Sequence, residues 1–249
     1  MAVYAPPQGD AARLYCLKCT ASVGLQDFQA GDKYVDQATL DAVTAFAPRF
    51  ETAYLAVNAR LAERIKQTQG KTSALGDLQT DVRDFWEVGK RMVFRKKLST
   101  ALLAYYGLGQ DGSVPKSAAD TSWLDFAAQI VKGDAEAVVA GYPAMINPSA
   151  AEVAAQLTLA QTEANQVGGS DRAYDQAQEA VATLRAEADA LIQEIMEQLR
   201  FTLRKKDEAS QRRIMRSYGA KFTYANGETP DPADGAGEPE PKPLETPAA

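Results

Sequence analysis

The 249-residue chain contains no histidine and only two cysteines. Histidine is the one side chain whose unperturbed pKa lies in the physiological range, and it is the commonest metal ligand. Its absence removes Ser-His-Asp and Cys-His activation of a nucleophile, imidazole proton shuttles and every His-containing metal site. A di-iron centre of the helical-bundle type, which needs Glu-x-x-His on two helices, cannot be completed either. Long apolar runs are missing as well. The stretch Ala101-Leu-Leu-Ala-Tyr-Tyr106 falls far short of the ~20 residues of a membrane span, so no membrane partner is expected. The start, Met1-Ala-Val-Tyr-Ala-Pro-Pro7, lacks the basic and apolar regions of a secretory signal, and a cytoplasmic location is the default expectation. No P-loop or GxSxG motif is present.

The remainder has the composition of a globular protein, with 45% hydrophobic and 24% charged residues and a net charge of −6. That charge argues against indiscriminate binding to nucleic acid.

Apolar residues recur at helical spacing over much of the chain. Leu40, Val43, Ala47, Phe50, Tyr54, Val57, Leu61 and Ile65 step by three or four, which predicts a helix over 36–69. Pro48 either bends it or opens a second helix, and Gly70 is expected to end it as a left-handed cap. A second helix is expected from Thr72 or Ser73 to Tyr106, followed by a Gly/Pro-rich loop over 107–115. One or two short helices occupy 120–141, with Asp120 or Thr121 as N-cap and a break at Gly133-Asp134. Residues 142–148 read as a linker. Ser149-Ala-Ala-Glu152 fits a capping box.

Two heptad seams follow. Val153, Leu157, Ala160, Ala164 and Val167 form one, and Tyr174, Ala177, Val181, Leu184, Ala188, Leu191 and Ile195 the other. Gly168-Gly169 lies between them, and the helix-breaking tendency of paired glycines favours a hairpin there over a bend. A short helix from Asp207 or Ser210 to Tyr218 should end at Gly219. Residues 1–11 read as an unstructured lead, and 12–20 as a strand with Tyr15, Leu17 and Cys19 on one face, pairing with 220–224. From Ala225 the chain holds six of its twelve prolines and reads as a disordered, acidic tail.

The sequence thus predicts an all-α fold: an elongated bundle of three to four long helices, with a small β cap joining the two ends. Its divisions are an N-terminal extended segment (1–35), a helical-bundle domain (36–224) and the tail (225–249).

Two constellations could carry chemistry. Cys16-Leu-Lys-Cys19 can chelate a metal or act as a redox dithiol, with Lys18 favouring the thiolate. A structural zinc site needs four ligands, so zinc fits only if the site is shared between chains; no other cofactor is implied. The second constellation is basic. Arg200, Arg204, Lys205, Lys206, Arg212, Arg213, Arg216 and Lys221 face only Asp207 and Glu208, whereas the tail carries a net −5. Arg204, Lys205, Arg212, Arg213 and Arg216 are the candidate partner-binding residues. The composite expectation is a non-enzymatic structural or scaffolding protein that self-associates or docks through its helices onto a larger assembly. The alternatives are a dithiol protein and a nucleic-acid or phosphate-binding adaptor.

Overall fold

The computed structural model describes residues 2–116 and 119–224. Among them the elements run β1 (Val3–Ala5), α1 (Asp10–Ala30), α2 (Gln37–Lys96), α3 (Ala101–Tyr105), α4 (Asp120–Val139), α5 (Ala150–Leu203), α6 (Glu208–Ser217) and β2 (Lys221–Thr223). The fold is all-α with a two-stranded antiparallel sheet that pairs Val3 with Thr223 and Ala5 with Lys221. The chain divides into two compact units. Unit 1 comprises 1–57 and 177–249, and unit 2 comprises 58–176.

Unit 1 builds its core from Leu14 and Leu17 of α1, Leu40, Val43, Phe46 and Phe50 of α2, Ile195, Leu199 and Leu203 of α5, and Met215 and Tyr218. The residues expected to form a strand over 12–20 lie in α1, so 1–35 is not an extended segment. The reason is visible in burial. Leu14, Leu17, Thr20 and Gly24 are inside while Tyr15 is 46% exposed, a spacing of three and four and not of two. The strand at the C-terminal end exists, but β1 is its partner. Two forked ion pairs fix α1 to α5: Arg185 donates to both Asp10 oxygens at 2.9 and 2.8 Å, and Arg13 to both Asp189 oxygens at 2.7 and 3.0 Å.

One core group of unit 1 is poorly served. The Thr20 hydroxyl is wholly buried and has no hydrogen-bond partner. Thr20→Val keeps the shape and removes the unpaired oxygen, so it should stabilise unit 1 by about 1 kcal/mol in denaturant unfolding.

Unit 2 is organised around Leu78, Val82, Phe85 and Trp86 of α2, Leu102 and Leu103 of α3, Ala127 and Ile130 of α4, and Val153 and Ala160 of α5. A buried polar chain ties these together. The Trp86 indole donates to the Tyr106 carbonyl at 2.9 Å, and the Tyr106 hydroxyl donates to Asp134 Oδ1 at 3.0 Å. The same oxygen accepts from the Met145 N–H at 3.3 Å. Burial, together with the Asp134 carboxylate, raises the Tyr106 pKa far above its ordinary value.

Several expected breaks are absent. Gly70, Gly133, Gly168 and Gly169 all lie inside helices, so α2 runs through the expected cap and α5 through the expected hairpin. Pro48 is also inside α2 and opens no second helix. Interior glycine disfavours a helix by only about 1 kcal/mol, which flanking helical turns and packing override. The true interruption of the second expected helix is at Lys97, whose φ of 53° ends α2 and sets off the short α3. At α4 the N-cap position is Ala119, and neither Asp120 nor Thr121 caps the helix.

Capping by side chains is realised elsewhere. Glu152 N–H donates to Ser149 Oγ at 3.2 Å while Ser149 N–H donates to Glu152 Oε2 at 2.7 Å, a complete capping box. Asp36 accepts from the Thr39 N–H at 2.7 Å and Asp207 from the Ser210 N–H at 2.9 Å. These bonds hold the Asp36, Glu152 and Asp207 carboxyls below the usual carboxylate range. A depressed folded-state pKa contributes stability that is present above the unfolded pKa and is lost as pH falls through the folded one. The melting temperature should therefore fall as pH drops from about 5 to about 3, and Asp36→Ala should remove part of that dependence.

Candidate functional site

Cys16 and Cys19 lie one helical turn apart on α1, so the two sulfurs are not on opposite faces as a strand would place them. Their environments differ. Cys16 is 1% exposed beneath the Tyr218–Gly219 turn, where its thiol donates to the Tyr218 carbonyl at 3.4 Å. Burial, and secondarily Cys19, pushes its pKa up to about 12. The thiolate is both the metal-binding and the nucleophilic form, so this position suits a packing role. Cys19 is partly exposed. Among the described residues, no grouping of three or more Cys, Asp or Glu is arranged to hold a metal ion.

The basic candidates separate into two sets. Arg212 pairs with Glu208 at 3.4 Å, and Arg216 donates to the Tyr224 hydroxyl at 2.6 Å while lying 5.4 Å from the Phe222 ring centre. Both are partly buried and support the α6–β2 turn. Arg204, Lys205 and Arg213 are exposed. Arg204 stacks its guanidinium on Phe201 at 3.9 Å from the ring centre, the closest cation–π contact among the described residues.

That contact borders a feature the sequence reading did not identify. A groove of about 760 Å³ in unit 1 is lined by Phe28 at the end of α1, Tyr34 in the following turn, Asp36 at the start of α2, and Glu197, Gln198 and Phe201 of α5. Among its lining residues Gln198 is fixed in place: it donates to Asp36 Oδ2 at 2.9 Å and Thr39 Oγ1 at 3.0 Å and accepts from the Asp36 N–H at 2.8 Å. Phe201 stands 67% exposed at its edge. The signal available in the sequence was that Phe201 falls off the Leu199–Leu203 stripe, and a large aromatic off the stripe of a helix has no core to enter.

A second recess, in unit 2, has the opposite character. Asp81, Asp84, Asn147 and Glu152 line about 370 Å³. Burial and the neighbouring carboxylates of Asp77, Asp84 and Glu152 raise the Asp81 pKa. Glu152 is already engaged in the Ser149 capping box.

The loop after α3 also spells G-x-G-x-x-G, as Gly107-Leu-Gly109-Gln-Asp-Gly112. The dinucleotide fingerprint needs a strand before it and a helix opening at its end. Here it follows helix α3 and leads into irregular chain, so its glycines act as turn formers. No described helix is long and apolar enough to cross a membrane. Compared with known proteins, the chain matches no family model, no curated protein and no solved structure.

Proposed function

We propose that this protein is a non-enzymatic helical scaffold that acts by self-association or by helix-mediated docking onto a larger assembly. The observation that carries the reading is the aromatic groove of unit 1, with Phe201 67% exposed at its edge. An open, mainly apolar groove with hydrogen-bonded polar residues in its lining matches the way one protein segment receives another. Support also comes from the fate of the buried titratable groups. Asp134, Tyr106 and Cys16 each hold one element against another. The Tyr218 hydroxyl does the same by donating to Asp27 Oδ2 at 2.8 Å. In this reading α2 and α5, which supply core residues to both units, also position the surface, and Arg204 beside Phe201 supplies orientation to an acidic or aromatic contact.

The test is light scattering on the intact chain across protein concentration, comparing the native sequence with Phe201→Ser. Because Phe201 is largely outside the core, the variant should keep its helicity and melting temperature. An anchor of this kind contributes on the order of 2 kcal/mol, so the association constant should fall by at least about tenfold. Association unchanged by the substitution would remove the groove from the account. A chain that stays monomeric throughout would discard self-association and leave docking to a different protein.

A further inference from the structure

The groove has a composition that selects its occupant. Each of its three aromatic walls carries one cation: Lys33 lies 5.1 Å from the Phe28 ring centre, Lys206 5.7 Å from Tyr34 and Arg204 3.9 Å from Phe201. Its two carboxylates are already committed as acceptors, Asp36 to Thr39 and Gln198, and Glu197 to the Gln193 side chain at 2.8 Å. Aromatic walls with a cationic rim fit an extended segment that alternates proline with acidic residues. Proline presets the polyproline II conformation and lowers the ordering entropy of docking, while the carboxylates meet the rim.

We propose that in the intact chain this groove is occupied by the chain's own segment Glu238-Pro-Glu-Pro-Lys-Pro-Leu-Glu245, with Leu244 against Phe201. The proposal rests on the groove being a docking surface. Leu244 is the only large aliphatic or aromatic residue among 225–249, and Glu238, Glu240 and Glu245 against Lys242 give the segment a net charge of −2, opposite to the rim. Reach is sufficient. Tyr224, where the described chain ends, belongs to unit 1 as the groove does. Thirteen residues separate it from Glu238, and the fourteen steps along the chain span up to about 46 Å. A tether of that length holds the segment at an effective concentration of order millimolar, so weak contacts suffice for occupancy. Such occupancy in cis would compete with any partner for the same groove.

Carbodiimide coupling of the full-length chain, which joins carboxylates to nearby amines, tests this. Equal parts of unlabelled and ¹⁵N-labelled protein are mixed, so that links within one molecule are told from links between two. The expected products join Glu238, Glu240 or Glu245 to Lys33 or Lys206 within one molecule. Their yield should fall about tenfold in Phe201→Ser, which removes the anchor but no reacting group. Replacing Glu238, Glu240 and Glu245 together by lysine should raise self-association by freeing the groove. Links spread over Lys66, Lys71 and Lys132, links between labelled and unlabelled molecules, no links at all, or a yield indifferent to Phe201→Ser would each overturn the proposal. If links fail while Phe201→Ser still weakens association, the groove stands as a docking surface and only its occupant is wrong. If both fail in a chain that does self-associate, the groove leaves the account together with its occupant.

Discussion

Gly133→Ala should destabilise unit 2 by about 2 kcal/mol even though alanine is the better helix former. Gly133 faces α3 from inside α4, and a Cβ there would overlap the Tyr105 carbonyl oxygen. The obstacle is backbone, so no rotamer change relieves it. Helix α3 would have to move away from α4 and disturb Leu102, Leu103 and the Tyr106–Asp134 hydrogen bond. Overpacking destabilises by about 1–3 kcal/mol, and an overlap with fixed backbone belongs at the upper end; subtracting about 1 for helix propensity leaves about 2. The readout is convenient, because both tryptophans, Trp86 and Trp123, lie in unit 2. Their fluorescence transition in denaturant should move to lower concentration. Gly168→Ala is the control: beyond its chain neighbours and the local helix backbone, no atom lies within 4 Å of the added carbon, so propensity acts alone and stability should rise. A Gly133→Ala protein as stable as the native one would mean that α3 and α4 are not held at this separation.

Gly219→Ala should be the corresponding lesion in unit 1, with two independent causes. Gly219 has φ of +88°, a left-handed conformation that disfavours any L side chain by about 1 kcal/mol or more. Its Cβ would also lie 2.7 Å from the Cys16 Cα, again a backbone contact. Together the expected loss is about 3 kcal/mol. This turn ends α6 and launches β2, and it brings the Tyr218 carbonyl over the Cys16 thiol. The far-UV circular dichroism transition should therefore shift while the tryptophan transition stays nearly in place. Equal shifts in both would show that the two units melt as one.

Much of this architecture was legible where a residue's role is local. The Ser149–Glu152 box, the Asp207 cap and the strand after Gly219 each depend on four or five neighbouring residues. The seams through Val153–Ala160 and Val181–Leu203 were legible because a buried helical stripe repeats wherever it is buried. What stayed hidden depends on distant chain. Gly133 looks like a breaker until Tyr105 is placed beside it. The interval from Tyr15 to Cys19 imitates strand alternation because Cys16 and Leu17, adjacent in sequence, are both buried under elements from the other end of the chain. The groove was hidden for the same reason, since Phe28, Tyr34 and Phe201 are brought together only by packing α1 and the start of α2 against the end of α5.

The division of the chain into 58–176 and the two flanking pieces also orders events during synthesis. The inner unit is a single uninterrupted stretch, complete once its last residue has left the ribosome. The outer unit is not. Its first 57 residues emerge first, yet Leu14, Leu17, Phe46 and Phe50 have no apolar partners from α5 until Ile195–Leu203 has been made. Elongation at about 5–20 residues per second leaves that N-terminal half-core waiting for roughly 7–30 seconds. Folding of this protein on the ribosome should therefore complete 58–176 before the flanking unit, and residues 1–57, made ahead of their partners, should be the ones most in need of chaperone cover.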